Sequence, residues 1–334
     1  MRFGFRHLLL AAFFAALASP PSGGQGLERS VKVYELPTAN ALPSRLLADG
    51  KGKIWFLESN ANKIGKFDIK KKAFTEYDIP TSKSFPTDLA MDGEGRIWFT
   101  EQDSNSLGVF DPVTETFKEY DLPTVDCFPR RLVVDGQGIV WFTEFYADKI
   151  GRFDPKSETF KEYDIPTKDS RPTGIALGAD GLIWFAESEG DKLGVLNPKD
   201  GAIKEIPLPQ RFSSVKDIIM DARGNIWFGA RAKKELGKYD TAADTFEMFP
   251  LPIIGVIEDL AVNEQGIVLF SLGHIGRLVA FDARAKSFLE VKVSLGESEP
   301  NGLDVDSAGD IWFTDIIQNS LVKVIGEEIS KLWL

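Results

Sequence analysis

The segment Ile-Trp-Phe-Thr-Glu at residues 97–101 is one copy of a pattern that recurs along most of the chain. Its Trp-Phe pair, which is Leu-Phe in one copy, starts at Trp55, Trp98, Trp141, Trp184, Trp227, Leu269 and Trp312. Successive copies lie 43, 43, 43, 43, 42 and 43 residues apart. A period of this length is typical of a repeat architecture and argues against a two-domain enzyme.

Each of the seven copies contains four short segments with strand character and none with a helical period. In the second copy these segments are residues 87–91, 96–100, 106–110 and 117–121. A glycine that can supply the positive φ of a tight hairpin precedes every anchor pair by three residues, at Gly52, Gly95, Gly138, Gly181, Gly224, Gly266 and Gly309. The sequence therefore predicts an all-β fold, a single seven-bladed β-propeller of four-stranded antiparallel blades.

A propeller ring is free of exposed edges only when its first and last blades are joined. Residues 31–37 (Val-Lys-Val-Tyr-Glu-Leu-Pro) resemble the fourth strand of other copies, such as residues 117–123 (Phe-Lys-Glu-Tyr-Asp-Leu-Pro). They are the natural outer strand of the last blade. The C-terminal residues 329–334 also have strand character and compete for the same position.

The N-terminal residues have the pattern of a targeting segment. Arg2 and Arg6 precede an uncharged apolar run at residues 8–18, which ends in the small-x-small pattern Ala-Leu-Ala. This run is too short to span a hydrocarbon core of about 30 Å. We expect a signal peptide at residues 1–18, with an uncleaved anchor as the alternative, then a linker at 19–30 and the propeller at 31–334. The mature protein is then periplasmic or secreted, a monomer, and not stably inserted in a membrane.

Net charge bears on the class of ligand, and cysteine content bears on disulfide bonding. The 334 residues include 39 basic and 50 acidic side chains, for a formal net charge of −11. Such a chain repels phosphate backbones, so we expect a small-molecule ligand and no nucleic acid. The single cysteine, Cys127, has no partner for an internal disulfide and is expected to be a buried apolar residue.

Three motifs carry a resemblance to a known family. Ile-Trp-Phe-Thr-Glu (97–101), Asp-Lys-Ile-Gly-Arg (148–152) and Glu-Tyr-Asp-Ile-Pro (162–166) resemble the streptogramin B (virginiamycin B) lyase family, over about residues 31–325. The resemblance implies a seven-bladed propeller and a magnesium-dependent carbon–oxygen lyase that opens a cyclic depsipeptide ester without hydrolysis. It also implies a histidine base that removes a proton next to the ester carbonyl and a Mg²⁺ ion that polarises the carbonyl oxygen.

The family's active residues transfer only in part. Glu258 stands where the family has a histidine in the sixth blade, and the family's Glu-Pro-His-Gly in the seventh blade is replaced by Glu299-Pro300-Asn301-Gly302. A further family glutamate falls near Asp315. The candidate catalytic residues are Glu258, Glu299, Asn301 and His274, the last being the only histidine after the signal segment. The candidate magnesium ligands are Glu299, Asp259 and Asp315.

The mouth of the central channel is the predicted site. Each innermost strand begins there, and the first two positions of these strands vary between copies while the turn glycines do not. The candidate ligand-binding residues are Arg45, Asp88, Arg130, Arg131, Arg171 and Lys216. Basic residues on blades one to five face acidic residues on blades six and seven, an arrangement that suits a polar ligand or a divalent cation. The alternative is a solvated rim whose charges neutralise one another.

A second acidic ring consists of Glu58, Glu101, Glu144, Glu187 and Asp315, which we interpret as blade-closing hydrogen-bond residues. The leading functional hypothesis is a propeller that binds a small polar or cyclic ligand, with magnesium-dependent lyase activity. The alternatives are a non-catalytic binding or scaffold propeller and a metal-dependent, lactonase-like propeller that uses Glu299, Asn301 and Asp259.

Overall fold

The computed structural model describes residues 31–291 and 296–326. Their strands form seven four-stranded antiparallel sheets, and the innermost strands of neighbouring sheets are in contact all the way around a ring. The predicted all-β, seven-bladed propeller is confirmed. Residues 1–30 and 327–334, which hold the predicted signal peptide, the linker and the competing C-terminal strand, lie outside the described residues.

Six blades are built from four consecutive strands, which follow one another from the channel outward. Blade 1 has β2 (Pro43–Ala48), β3 (Lys53–Glu58), β4 (Lys63–Asp68) and β5 (Ala73–Asp78). Blade 2 has β6 (Pro86–Met91), β7 (Ile97–Glu101), β8 (Ser106–Asp111) and β9 (Thr116–Asp121). Blade 3 has β10 (Pro129–Val134), β11 (Val140–Glu144), β12 (Lys149–Asp154) and β13 (Thr159–Asp164).

Blade 4 has β14 (Pro172–Leu177), β15 (Ile183–Glu187), β16 (Lys192–Leu196) and β17 (Ile203–Pro207). Blade 5 has β18 (Val215–Met220), β19 (Ile226–Ala230), β20 (Glu235–Asp240) and β21 (Thr245–Pro250). Blade 6 has β22 (Ile257–Val262), β23 (Ile267–Leu272), β24 (Arg277–Asp282) and β25 (Ser287–Val291), with a 3₁₀ turn at Gly273–Ile275.

The seventh blade joins the two ends of the described chain. It has β26 (Pro300–Val305), β27 (Ile311–Asp315) and β28 (Ser320–Val324), and its outer strand is β1 (Val31–Glu35). The two segments run antiparallel, with Val31 opposite Val324 and Glu35 opposite Ser320. The sequence left two candidates for the closing strand, and Val31–Glu35 occupies that position.

The turn between the first two strands of a blade is organised by an aspartate. In blade 2, the Asp92 carboxylate accepts hydrogen bonds from the backbone N–H groups of Glu94 (2.9 Å) and Arg96 (3.0 Å) and from the indole N–H of Trp98 (2.9 Å). Gly95 has a φ of 84°, which an L side chain rarely adopts. One residue therefore satisfies the turn backbone and orients the anchor tryptophan.

The glycine of the third strand is required by the anchor phenylalanine. In blade 2, Gly108 lies opposite Phe99 in the register, and a Cβ atom added at Gly108 would lie 2.0 Å from the Phe99 ring. The ring therefore packs directly on the backbone of the neighbouring strand. The same pair recurs in blades 1, 3, 4 and 5, which explains the Ile-Gly and Leu-Gly pairs that open their third strands.

Neighbouring blades are joined by polar contacts and by apolar packing. Thr81, in the segment after blade 1, donates through its backbone N–H (3.0 Å) and hydroxyl (2.9 Å) to the Glu119 carboxylate in blade 2. Apolar clusters fill the spaces between blades; Cys127 is buried in the cluster between blades 2 and 3, as expected. No helix in the described part of the chain has the length and apolarity to cross a membrane.

Candidate functional site

A β-bulge opens the innermost strand of each of the seven blades. The pairing of the first and second strands shifts register just after the first residue, for example between Pro43 and Leu46 and between Pro129 and Leu132. A bulge re-aims the side chains that it contains. The variable positions singled out from the sequence lie at these bulges, where local structure turns their side chains toward the channel.

Five of these side chains form an ion cluster across the channel, the axial ion cluster, which consists of Arg45, Arg131, Asp88, Asp217 and Asp259. Arg45 donates to Asp88 (2.9 Å), to Asp217 (3.0 Å) and to Asp259. Arg131 lies 3.3 Å from Asp88 and 3.2 Å from Asp217. The side chains come from blades 1, 2, 3, 5 and 6, so the cluster ties together parts of the ring that share no sheet.

The axial ion cluster has one carboxylate more than it has guanidinium groups. Burial raises the pKa of Asp259 to about 7, and Asp217 adds to the rise while Arg45 opposes it. Burial also disfavours ionisation of Asp217, but Arg131 and Arg45 outweigh it and lower the pKa of that group. The backbone N–H of Leu303 also donates a hydrogen bond to the Asp259 carboxyl group (2.7 Å). The cluster therefore favours the ionised form of Asp217 and the neutral form of Asp259.

Two cavities lie on either side of the axial ion cluster, and Arg45 and Arg131 line both. The cavity along the channel has a volume of about 540 Å³ and is lined by the innermost strands. The cavity at the mouth has a volume of about 360 Å³, and its polar lining consists of Ser44, Arg45, Ser59, Thr87, Gln102, Arg130, Arg131, Thr173, Lys216 and Asn301. We call this second cavity the mouth pocket.

Arg130 and Arg171 belong to an aromatic cluster beside the mouth pocket. The guanidinium carbon of Arg130 lies 4.5 Å from the centre of the Phe145 ring, and that of Arg171 lies 4.7 Å from the centre of the Tyr146 ring. Phe128 packs against Tyr146 with 4.9 Å between ring centres. The sequence analysis did not assign these rings to the site. The signal that could have done so is the Phe145-Tyr146 pair just past the third Trp-Phe pair.

Glu258 is held by two cations. Its carboxylate lies 2.7 Å from the Lys216 ammonium and 2.7 Å from the Arg231 guanidinium. Burial favours the neutral acid, but Lys216 and Arg231 together lower the pKa of Glu258 below its usual value. At neutral pH this side chain is therefore an ionised, weakly basic carboxylate. Arg231 was not predicted from the sequence, because it follows the end of a second strand rather than the start of a first one.

His274 lies between two of the predicted catalytic carboxylates. Its Nε2 atom is 3.7 Å from Glu258 Oε1 and its Nδ1 atom is 3.5 Å from Glu299 Oε1. The 3₁₀ turn at Gly273–Ile275 positions the ring, which is 64% exposed. Each ring nitrogen therefore faces a carboxylate. The structure thus brings Glu258, His274 and Glu299 together on one rim.

The three predicted magnesium ligands have different surroundings. Asp259 is in the axial ion cluster, whereas Asp315 accepts hydrogen bonds from the Ser298 hydroxyl and from the backbone N–H of Glu299. Glu299 lies beside His274, with 3.5 Å between Oε1 and Nδ1. Asn301, a predicted catalytic residue, lines the mouth pocket, and its backbone carbonyl accepts a hydrogen bond from the Ser271 hydroxyl. Within residues 31–291 and 296–326, no group of three or more His, Cys, Asp or Glu side chains is arranged to hold a metal ion. The magnesium site stays a prediction.

The second acidic ring is deeply buried. Glu58, Glu101, Glu144 and Glu187 are fully buried at the ends of their strands. The side chains beside them are Glu76 for Glu58, Cys127 and Glu162 for Glu144, and Glu205 for Glu187. The interpretation as hydrogen-bond residues fits the contacts of Asp315 and stays a prediction for these three. Burial, together with the neighbouring Glu76, raises the pKa of Glu58 to about 8.

Together, the ring of sheets and the mouth pocket define a seven-bladed β-propeller with a polar site at one end of its channel. The profile of the Virginiamycin B lyase family matches residues 23–281, and the chain belongs to this family. No curated protein sequence gives a significant match.

Solved structures share this fold. Virginiamycin B lyase from Staphylococcus aureus superposes with a TM-score of 0.83 at 24% identity, over 88% of this chain and 98% of that one. A streptogramin B lyase gives 0.83 at 25% identity, over 88% and 96% of the two chains. The extracellular domain of BT4673, a putative one-component system from B. thetaiotaomicron, gives 0.72 at 16% identity, over 89% and 40%.

Proposed function

We propose that the protein binds a small polar molecule in the mouth pocket. The observation that carries this proposal is the pocket itself, a cavity of about 360 Å³ with ten polar lining side chains among the described residues. A concave site with convergent polar groups is the usual form of a small-molecule site. The axial ion cluster lies beneath the pocket, so a ligand that enters from the mouth meets charged groups at its base.

The test fills the pocket with a bulky side chain. Asn301→Trp places an indole at the rim, whereas Gln265→Trp places one in an exposed turn at the opposite end of blade 6. Small polar molecules and a streptogramin B are screened by thermal shift, because a ligand of the folded state raises the melting temperature by mass action. We expect Asn301→Trp to lose the shift and Gln265→Trp to keep it. Equal responses from both variants would exclude the mouth pocket.

A second function, carbon–oxygen lyase activity, is favoured by the position of His274 between Glu258 and Glu299. In this reaction His274 removes a proton from a carbon next to a carbonyl, and a carbon–carbon double bond forms as the neighbouring ester C–O bond breaks. The electron pair of that bond leaves on the carboxylate. Glu258 and Glu299 stabilise the imidazolium that forms. Asn301 replaces the family histidine and cannot accept the proton.

The lyase proposal is tested with a streptogramin B and Mg²⁺, using mass spectrometry and a streptogramin B lyase of the family as a positive control. A linear product of unchanged mass that forms with the wild type and not with His274→Gln supports it. A product that has gained one water indicates the lactonase-like alternative instead. Absence of turnover, with binding retained, leaves a binding or scaffold propeller.

We also propose that the protein is exported by its N-terminal segment. The charged start and short apolar run of residues 1–18 support this proposal. In an expressing bacterium, we expect the mature chain in the periplasm or the medium with a mass that corresponds to cleavage after Ala18. An uncleaved chain in the membrane fraction would indicate the anchor alternative.

A further inference from the structure

The charged side chains that line the mouth pocket all have the same sign. They are Arg45, Arg130, Arg131 and Lys216, and the rest of the polar lining is Ser, Thr, Gln or Asn. Arg45 and Arg131 are neutralised by the three carboxylates of the axial ion cluster, and Lys216 is paired with Glu258 at 2.7 Å. Of the four lining cations, Arg130 is then the one that has no carboxylate partner among the described residues.

Arg130 differs from the other three. Its contacts are with rings: the guanidinium carbon lies 4.5 Å from the Phe145 centre and 5.4 Å from the Phe128 centre. Its buried Nε atom has no hydrogen-bond acceptor among the described residues. Burial lowers the pKa of Arg130, and the positive charges of Arg131 and Arg231 lower it further. This guanidinium is thus partly desolvated and surrounded by like charge.

An uncompensated guanidinium in such a setting is costly to the folded protein. Aromatic rings attract its charge but do not accept its in-plane N–H groups, which suit the oxygens of a carboxylate or a phosphate. Arg171 adds a second guanidinium within the same aromatic cluster, 5.5 Å from the Phe145 centre. The positive charge of Arg130 and its unpaired N–H groups therefore favour a ligand that carries an anionic oxygen.

We propose that the mouth pocket selects organic anions, and that the guanidinium of Arg130 binds their carboxylate or phosphate group beside the Phe145 ring. This inference rests on the proposed function, since it names the class of ligand for the same pocket. The other lining groups, such as Thr87, Gln102 and Asn301, then serve the neutral part of the ligand. A rim of mutually neutralising charges would leave no preference for anions.

The test compares probes of similar shape and different charge by isothermal titration calorimetry in a phosphate-free buffer. The probes are benzoate, phenyl phosphate, inorganic phosphate and the neutral benzamide. We expect the wild type to bind at least one anion more tightly than benzamide, with an affinity that falls as salt is added. The relative affinities of benzoate and the two phosphates show which oxyanion the site prefers.

Arg130→Gln removes the charge and keeps a polar side chain. We expect it to weaken anion binding at least about tenfold, which corresponds to about 1.4 kcal/mol. Arg284→Gln removes the same charge from an exposed turn at the opposite end of blade 6, and we expect it to bind as the wild type does. Arg130→Lys, which keeps the charge and loses the planar fork, covers the case in which Arg130→Gln folds poorly.

The outcomes separate this inference from the proposed function. Equal anion binding by the wild type, Arg130→Gln and Arg130→Lys overturns the role of Arg130, and equal affinity for benzamide and benzoate overturns the preference for anions. Binding of neutral molecules only, abolished by Asn301→Trp, refutes the inference and leaves the proposed function intact. If Asn301→Trp changes the binding of none of the probes, both the inference and the proposed function are refuted.

Discussion

The Arg45 guanidinium in blade 1 donates to the Asp217 carboxylate in blade 5, with 3.0 Å between Nη1 and Oδ2, although the two residues are 172 positions apart. The contact runs across the channel rather than around the ring. Hydrogen bonds between strands hold each blade together, and apolar packing joins each blade to the next. The contact between Arg45 and Asp217 instead links two blades that are not neighbours.

We predict that Arg45→Met destabilises the protein by about 3–5 kcal/mol, because the change leaves three buried carboxylates with only Arg131 to neutralise them. Chemical denaturation at pH 7 measures the loss. Adding Asp259→Asn to Arg45→Met should recover part of it, since one excess carboxylate is then removed. An Arg45→Met protein as stable as the wild type would show that the axial ion cluster contributes nothing to the fold.

The buried glutamates make stability depend on pH. Burial, with Glu76, Glu162 and Glu205 as the respective neighbours, raises the pKa values of Glu58, Glu144 and Glu187 to about 8. The folded state therefore binds more protons than the unfolded state between the unfolded pKa near 4.5 and about pH 8. Stability is fully present below this window and is lost as the pH rises through it.

The slope of that loss is at most about 1.4 kcal/mol per pH unit for each group. We predict that Glu58→Gln, which is neutral at every pH, reduces the decline in unfolding free energy between pH 5 and pH 9. The exposed Glu264→Gln is the matched control and should follow the wild-type curve. A stability that rises with pH across this range would contradict the protonated state of the buried ring.

Gly108 should not tolerate a methyl group. Because a Cβ atom there would lie 2.0 Å from the Phe99 ring, we predict that Gly108→Ala destabilises the fold by about 1–3 kcal/mol. Gly93→Ala, in the turn of the same blade, meets no atom within 4 Å and is the control. Thermal unfolding of both variants decides the matter, and equal melting temperatures would mean that the ring moves aside at little cost.

The expected magnesium site can be tested at Glu299. This carboxylate has His274 rather than a lysine or arginine as its ion-pair partner among the described residues, whereas Asp259 is paired with Arg45. We predict that Mg²⁺ raises the melting temperature of the wild type by mass action and that Glu299→Gln abolishes this rise without unfolding the protein. An identical rise in melting temperature with Mg²⁺ in both proteins would show that Glu299 is not a ligand of the ion.

The repeat made most of the fold predictable. A period of 42 or 43 residues, with a turn glycine three positions before each anchor pair, specifies four strands per blade. The likeness of residues 31–37 to a fourth strand made them one of two candidates for the strand that closes the ring. These features are local, or they repeat, so one copy informs the others. The positions at the channel mouth could be located for the same reason.

The partners of the mouth residues could not be predicted. The contacts of Arg45 with Asp217 and of Lys216 with Glu258 depend on distances across the channel, which no single repeat contains. The surroundings of the acidic ring could not be predicted for a related reason. Repetition of Glu58, Glu144 and Glu187 marks a shared environment, but it does not say which side chains lie around each carboxyl group.

The pairing of β1 with β28 has a consequence for biosynthesis. Val31 is among the first propeller residues to leave the ribosome, and its partner Val324 is among the last. Until β28 is synthesised, β1 has no strand to pair with, and the seventh blade also has an unpaired edge. Unpaired strand edges can template aggregation. A nascent chain that stalls before β28 thus holds six finished blades and two reactive edges. The chain therefore depends most on protection from aggregation in the interval before β1 pairs with β28.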